Sequence, residues 1–189
     1  KGCSFYIHTN TYAAEPCDPF YYDLKAIADE LGVSDIVSFP ESNSVFCGLP
    51  DAKMSDIYMN SDFFILPSIC ESFALPVVEA MSCGIPVLGN DNGGRPSAVG
   101  EHYSNGRGIP VKTRQEFLPP SQEVYRVTIQ GLASAILRAA KMDIAEYSEM
   151  SKGSALYARE FDWRRTEQRI CELVSGISAS CEIPVEIVG

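Results

Sequence analysis

Four apolar residues in a row, Phe63-Phe64-Ile65-Leu66, are closed at once by Pro67. One helix-sized gap later a second short run follows, Ile85-Pro86-Val87-Leu88. A strand with one wet face alternates apolar and polar residues. A run without alternation is what a strand covered on both faces requires, as in a parallel sheet. The gap between the runs holds Pro76 to Ser82, read as a helix with Pro in its first turn and Gly84 just past its end. Strand, helix, strand is the unit of a layered α/β fold. With 189 residues the chain is long enough for one domain with a sizeable core and too short for two full-sized ones.

The flanking sequence extends this pattern. Residues 3–8 read as a strand, and Thr9 to Pro19 as a polar, Pro-containing loop. Leu24, Ile27, Ala28 and Leu31 lie on one face of a helix over Tyr22–Leu31, with Gly32 as its stop. Ile36 to Phe39 is a short strand closed by Pro40, and Leu49-Pro50-Asp51 opens a helix with Met54, Ile57 and Tyr58 spaced for burial. Asn105-Gly106 marks a turn, and Gly108 to Val111 a last short strand. Leu132–Lys141, 144–159 and 163–175 read as helices. From Ser178 no helical period is visible, so residues 1–176 are expected to form the domain and 177–189 a tail.

Lys plus Arg number 15 against 25 Asp plus Glu, a formal net charge of -10, which repels phosphate backbones and argues against nonspecific nucleic-acid binding. No apolar run approaches the ~20 residues of a bilayer span. Seven Cys without a Cys-x-x-Cys pair, beside two His, give no zinc spacing. Cys70 and Cys83 sit in apolar contexts and read as reduced core thiols of a cytoplasm-like compartment. The chain begins at Lys1 rather than Met and soon enters Phe5-Tyr6-Ile7, so it reads as a fragment or processed piece without a signal peptide.

The segment from Phe63 to Glu79 runs strand, loop, helix. In open α/β sheets ligands bind at the carboxyl ends of strands, where such loops sit. The N-terminus of the helix near Leu75 points its N–H groups and positive dipole end at the loop, as a phosphate requires. Glu71 in the loop and Glu79 in the helix would repel that phosphate unless they bind something else. A vicinal diol gives a carboxylate two charge-assisted hydrogen bonds of about 1.5–3 kcal/mol each. Diols on both sides of a diphosphate describe a sugar nucleotide.

Glu71-Ser-Phe-Ala-Leu-Pro-Val-Val-Glu79 resembles the Glu-x7-Glu motif of retaining GT-B glycosyltransferases of the group 1, family 4 type. This group contains bacterial and archaeal mannosyl- and glucosyltransferases and sucrose-phosphate synthase. Four further segments are similar to the same family in order. Tyr58-Met-Asn-Ser-Asp62 leads into Pro67-Ser68, Glu79-Ala-Met-Ser-Cys-Gly84-Ile-Pro86-Val follows, then Asp91-Asn-Gly93-Gly94-Arg-Pro96 and Phe161-Asp-Trp163. Together they span about residues 58–176. The resemblance implies a Rossmann-like parallel sheet flanked by helices, the C-terminal, donor-binding half of a GT-B fold. It implies that Glu71 contacts hydroxyls of the transferred sugar. The backbone around Ser72, Phe73, Ala74 and Leu75 would hold sugar and diphosphate, Glu79 the ribose diol, and the base would pack near Pro40. Transfer would retain configuration through an oxocarbenium-like transition state with charge building on the departing phosphate.

No Asp-x-Asp pair, triphosphate loop or G-x-G-x-x-G is present, so no metal and no cofactor is expected beyond the nucleoside-diphosphate sugar as substrate. The resemblance implies as partners an acceptor (glycan, lipid or small molecule) and an N-terminal GT-B domain. An Arg and a Lys that neutralise the diphosphate would lie upstream of Lys1, so this piece alone is expected to be inactive. The implied location is cytoplasmic, and the lipid-linked acceptors of many relatives allow a peripheral membrane site for the intact protein. Pro40 replaces the family's usual Gly and precedes an insertion, Glu41 to Cys47. Ser97 replaces a Glu, and a second insertion lies around Thr113 to Thr128. A non-catalytic nucleotide-sugar binding module and a sugar-nucleotide epimerase-like domain are the alternative readings. His8 reads as structural, and Arg95 as a solvated surface charge. His102 lies beside a surface turn without an evident partner, and Trp163 reads as a core or domain-contact aromatic. Gly93-Gly94 is a turn that either lines the cleft or does not.

Overall fold

A computed structural model describes residues 2–9, 22–40, 48–69, 71–91, 102, 105–119 and 122–181, with the side chains of 122 and 177–181 excepted. The chain divides into two compact units, Lys1–Ile57 and Tyr58–Gly189.

In the first unit, strand β1 (Phe5–Tyr6), helix α1 (Leu24–Glu30) and strand β2 (Val37–Ser38) follow one another. β1 and β2 pair in parallel, Phe5 opposite Val37. Asp23 caps α1 by accepting from the Ala26 N–H at 2.9 Å, and Gly32 (φ +66) ends the helix as expected. Helix α2 (Asp51–Met59) ends this unit and opens the next with Tyr58.

The second unit is built on a parallel sheet, β3 (Phe64–Leu66), β4 (Val87–Asn90) and β5 (Gly108–Val111), in that spatial order. Phe64 pairs with Val87, and Val87 with Gly108. β4 begins just past Pro86, the place a Pro can occupy beside a sheet. Helix α3 (Leu75–Ser82) crosses between β3 and β4. Val77 and Met81 of α3 pack with Phe64, Leu66 and Val87 on one face of the sheet. Phe63, Ile65, Leu88, Ile109 and Val111 face the other side, against Leu132, Ala135 and Ile136 of α4 (Ile129–Lys141). Alternate residues of one apolar run thus feed two cores. That is why the run does not alternate in polarity.

α5 (Ile144–Ala158) lends Met150 to one core and Ala158 to the other. A short 3-10 turn (Arg159–Phe161) leads to α6, Trp163–Cys181. α6 runs on through Cys181, past the point at Ser178 where the helical period fades. Its carboxyl turns thus follow backbone continuity rather than side-chain pattern. Trp163 is 80% exposed on this unit and not a core aromatic. Its position at the start of α6, beyond the buried Ala158, turns it outward. Cys83 is a free thiol but half-buried, while Cys70 lies outside the described residues.

The stretch read as an insertion is an antiparallel hairpin. β6 (Thr113–Leu118) pairs with β7 (Gln122–Val127), Thr113 opposite Val127. It leaves the carboxyl end of β5 with only Lys112 between. Among the described residues no helix is long and apolar enough to cross a membrane.

Candidate functional site

β3 delivers the chain at its carboxyl end into a loop that turns back as α3. The turn is made by Ala74, whose φ of 61° and ψ of 62° place a non-glycine residue in the left-handed region. An L-residue there costs roughly 1–2 kcal/mol. Among the described residues no side-chain hydrogen bond caps α3, and the Val77 N–H turns back to the Ala74 carbonyl at 2.9 Å, so the partial positive end of the helix lies at the loop. Pro76 in the first turn has no N–H to orphan.

The sequence spaces α3 to bury Val77, Ala80 and Met81 and to expose Leu75 and Glu79 one turn apart. Glu71 and Ser72 are exposed in the loop before the turn, and Phe73 is half-buried. Glu71, Ser72, Phe73, Ala74, Leu75 and Glu79 therefore share one loop-and-helix element. Pro40 lies in the first unit, two residues past β2. Gly93, Gly94 and Arg95 lie outside the described residues. His8 is exposed with its Nδ1 3.1 Å from the Tyr6 hydroxyl, in keeping with a structural role.

Glu79 is exposed yet held. The Tyr58 hydroxyl donates to its Oε2 at 3.0 Å. Tyr58 is buried, edge-on to Phe64 with ring centroids 5.7 Å apart. Burial, then the Glu79 charge and the hydrogen bond to it, push the Tyr58 phenol well above its ordinary range. Tyr58 thus stays a donor at any physiological pH. A carboxylate has about four acceptor positions, so one bond from Tyr58 leaves capacity for a diol.

Two further residues fix the loop, and neither stands out in the sequence. The Asn90 amide, at the carboxyl end of β4, donates to the Ser68 carbonyl at 3.2 Å and to the Tyr125 carbonyl of β7. One side chain thereby ties the loop after β3 to the hairpin. His102, read from sequence as lacking a partner, is 1% exposed. Its Nε2 lies 2.7 Å from the Phe73 carbonyl and its Nδ1 3.1 Å from the Tyr157 hydroxyl. Burial under Phe73 and Phe161 gives it those partners, although sequence places it beside the turn at Asn105-Gly106. Tyr58 carried a signal in the spacing Tyr58-x-x-x-Asp62. Asn90 and His102 carried none, because their partners, three backbone carbonyls and the Tyr157 hydroxyl, are far away in sequence.

The sequence profile of glycosyl transferases group 1 matches residues 19–119, more than half of the chain and all of β3, α3 and β4. The chain belongs to this family. As a group 1 glycosyltransferase domain it is similar, at 28% identity over 79% of its length, to D-inositol 3-phosphate glycosyltransferase of Saccharomonospora viridis, of which it covers 30%. Against the enzyme of the same name from Segniliparus rotundus the identity is 36% over 76% of the chain and 27% of the relative. With that from Mycolicibacterium smegmatis it is 40% over 43% of the chain and 17% of the relative. The chain thus spans less than a third of the curated relatives it matches. Two solved GT-B structures share the fold. Sucrose-phosphate synthase from Thermosynechococcus elongatus matches with a TM-score of 0.62 at 21% identity, over 86% of this chain and 37% of that one. WaaG, a glycosyltransferase involved in lipopolysaccharide biosynthesis, matches at 0.54 and 17%, over 81% and 35%. The α/β reading, with its parallel sheet flanked by helices, is borne out.

Proposed function

We propose that this glycosyltransferase domain binds a nucleoside-diphosphate sugar at the loop 71–74 and the N-terminus of α3, for transfer with retention of configuration. The observation that carries the reading is Glu79. It is a carboxylate on the open face of α3, one turn past the helix start and oriented by a buried Tyr58. In this reading Glu79 accepts from the ribose diol. The N–H groups around Phe73, Ala74 and Leu75 hold the diphosphate, and Glu71 accepts from hydroxyls of the transferred sugar. Fixed donors at the diphosphate stabilise the charge that builds as the anomeric bond breaks. Transfer also needs an acceptor and the N-terminal GT-B domain, so turnover belongs to the protein that carries both halves.

Thermal unfolding of the chain with UDP, GDP and ADP in turn tests donor binding. A ligand at ~10 times its dissociation constant stabilises by about 1.4 kcal/mol. That is roughly 3–6 °C for a domain of this size. A shift with one of the three is expected. The absence of a shift with all three, up to ten-millimolar-scale concentration, would contradict the reading.

A further inference from the structure

The left-handed turn at Ala74 needs a cause. Strained backbone of this kind persists only where its surroundings over-determine it. From below, the Ala74 side chain is locked into the core with Val77, Met81, Val87 and Ala158. From the other side, the preceding carbonyl of Phe73 is held by His102 at 2.7 Å. A carbonyl only accepts, so Nε2 of His102 carries the proton. Nδ1 then accepts from the Tyr157 hydroxyl at 3.1 Å in the neutral ring. The imidazole cannot drift from this pose. The Phe73 ring meets it edge-on at 4.9 Å, and Phe161 at 5.4 Å and 90°. Arg107 stacks over Tyr157 at 3.9 Å and donates from Nε to the His102 carbonyl at 2.9 Å.

In a trans peptide the carbonyl and the following N–H point in opposite directions. With the Phe73 carbonyl turned to His102, the Ala74 N–H points the opposite way, in a loop where Ala74 itself is buried and its neighbours Glu71, Ser72 and Leu75 are exposed. We propose that His102 is a positioning residue for the donor's diphosphate. By holding the Phe73 carbonyl it aims the Ala74 N–H at a phosphate oxygen. The inference rests on the donor-site reading above and adds to it a residue that touches no ligand.

Three variants test it on the chain: His102→Phe, which keeps the ring but cannot donate; His102→Gln, whose amide N–H can reach the carbonyl; and Tyr157→Phe, which removes only the hydroxyl that orients the imidazole. The readouts are the dissociation constants of whichever of UDP, GDP or ADP binds the parent and of the matching nucleoside, together with the melting midpoint without ligand. Aiming a charge-assisted bond is expected to be worth about tenfold in diphosphate affinity for His102→Phe, with the nucleoside changed less than about twofold. His102→Gln is expected to recover most of the loss. Should His102→Phe fail to fold, Tyr157→Phe decides, with an expected loss of about threefold confined to the diphosphate. Equal losses for diphosphate and nucleoside, or a lower melting midpoint with unchanged diphosphate affinity, would reduce His102 to a structural residue and overturn the proposal. Glu79→Ala separates the two levels. If it weakens the nucleotide while His102→Phe and Tyr157→Phe do not, the donor site stands and this inference falls. If the parent binds none of the three nucleotides, both fall.

Discussion

The α3 turn and the β6–β7 hairpin rise from the same parallel sheet and are held by opposite means. α3 is fixed from beneath by apolar side chains, with Val77, Ala80 and Met81 without exposed surface. The hairpin is anchored at the buried Val124 and at Val127, which packs on the sheet's second core, and its outer face is knit by charges and amides. Glu116 takes bonds from Arg114 and, at 2.9 Å, from Arg126 Nε. Glu123 Oε1 takes bonds from Gln115 and Tyr125, each at 2.6 Å. Apolar burial contributes about 25 cal/mol per Å² and is not subject to charge screening. Exposed ion pairs contribute little and are screened. The element proposed to meet the donor is therefore the one built on the apolar core.

The largest effect that sharpens this contrast is a cavity under α3. Met81→Ala is expected to destabilise by about 2–5 kcal/mol in urea unfolding, because Met81 is fully buried. A smaller loss would mean the core beneath the site collapses easily. Next comes the base of the hairpin. A Cβ added at Gly131, in the first turn of α4, would meet the Lys112 carbonyl and the Thr128 hydroxyl at once. Gly131→Ala should cost about 1–3 kcal/mol by overpacking, read in the same titration.

Function should respond more finely. Tyr58→Phe removes the hydroxyl that orients Glu79 and leaves the ring against Phe64. Nucleotide affinity is expected to fall about three- to tenfold, a net hydrogen-bond contribution, in calorimetric titration. The smallest effect is in the hairpin. Hydrogen bonds from Arg114 and Arg126 hold the Glu116 carboxyl below its usual range. A lowered folded-state value means the contribution is present above the unfolded value near pH ~4.3 and is lost as pH falls through the folded one. Glu116→Gln should thus leave the melting midpoint at neutral pH within about one degree, and that small difference should vanish in acid or in molar salt.

The same contrast governs what was legible in the sequence. Phe63 to Leu66 and the α3 spacing betray themselves because burial on fixed faces imposes a period. The Glu71 and Glu79 positions followed from a loop at a strand end and a motif, and the structure brings them onto one element. The hairpin stayed hidden as an insertion. Its strands, Thr-Arg-Gln-Glu-Phe-Leu and Gln-Glu-Val-Tyr-Arg-Val, mix charged, amide and apolar residues without a strict apolar/polar alternation, and its pairing is cross-strand. His102 was misread for a related reason: its bonds reach Phe73 and Tyr157, 29 and 55 residues away, and no local pattern encodes them. Helix α6 was cut short because Ser178 and Ala179 carry no apolar period, although the backbone continues helical to Cys181.

The central claim is that Glu79, aimed by Tyr58, reads the ribose of a nucleotide donor. Calorimetric titration of the parent and Glu79→Ala chains tests it directly, using the nucleoside diphosphate that stabilises the parent and its 2′,3′-dideoxy counterpart. The parent should prefer the ribonucleotide by about tenfold or more, the scale of one charge-assisted hydrogen bond, and Glu79→Ala should bind both alike. A parent without that preference, or a Glu79→Ala chain that keeps it, would contradict the account.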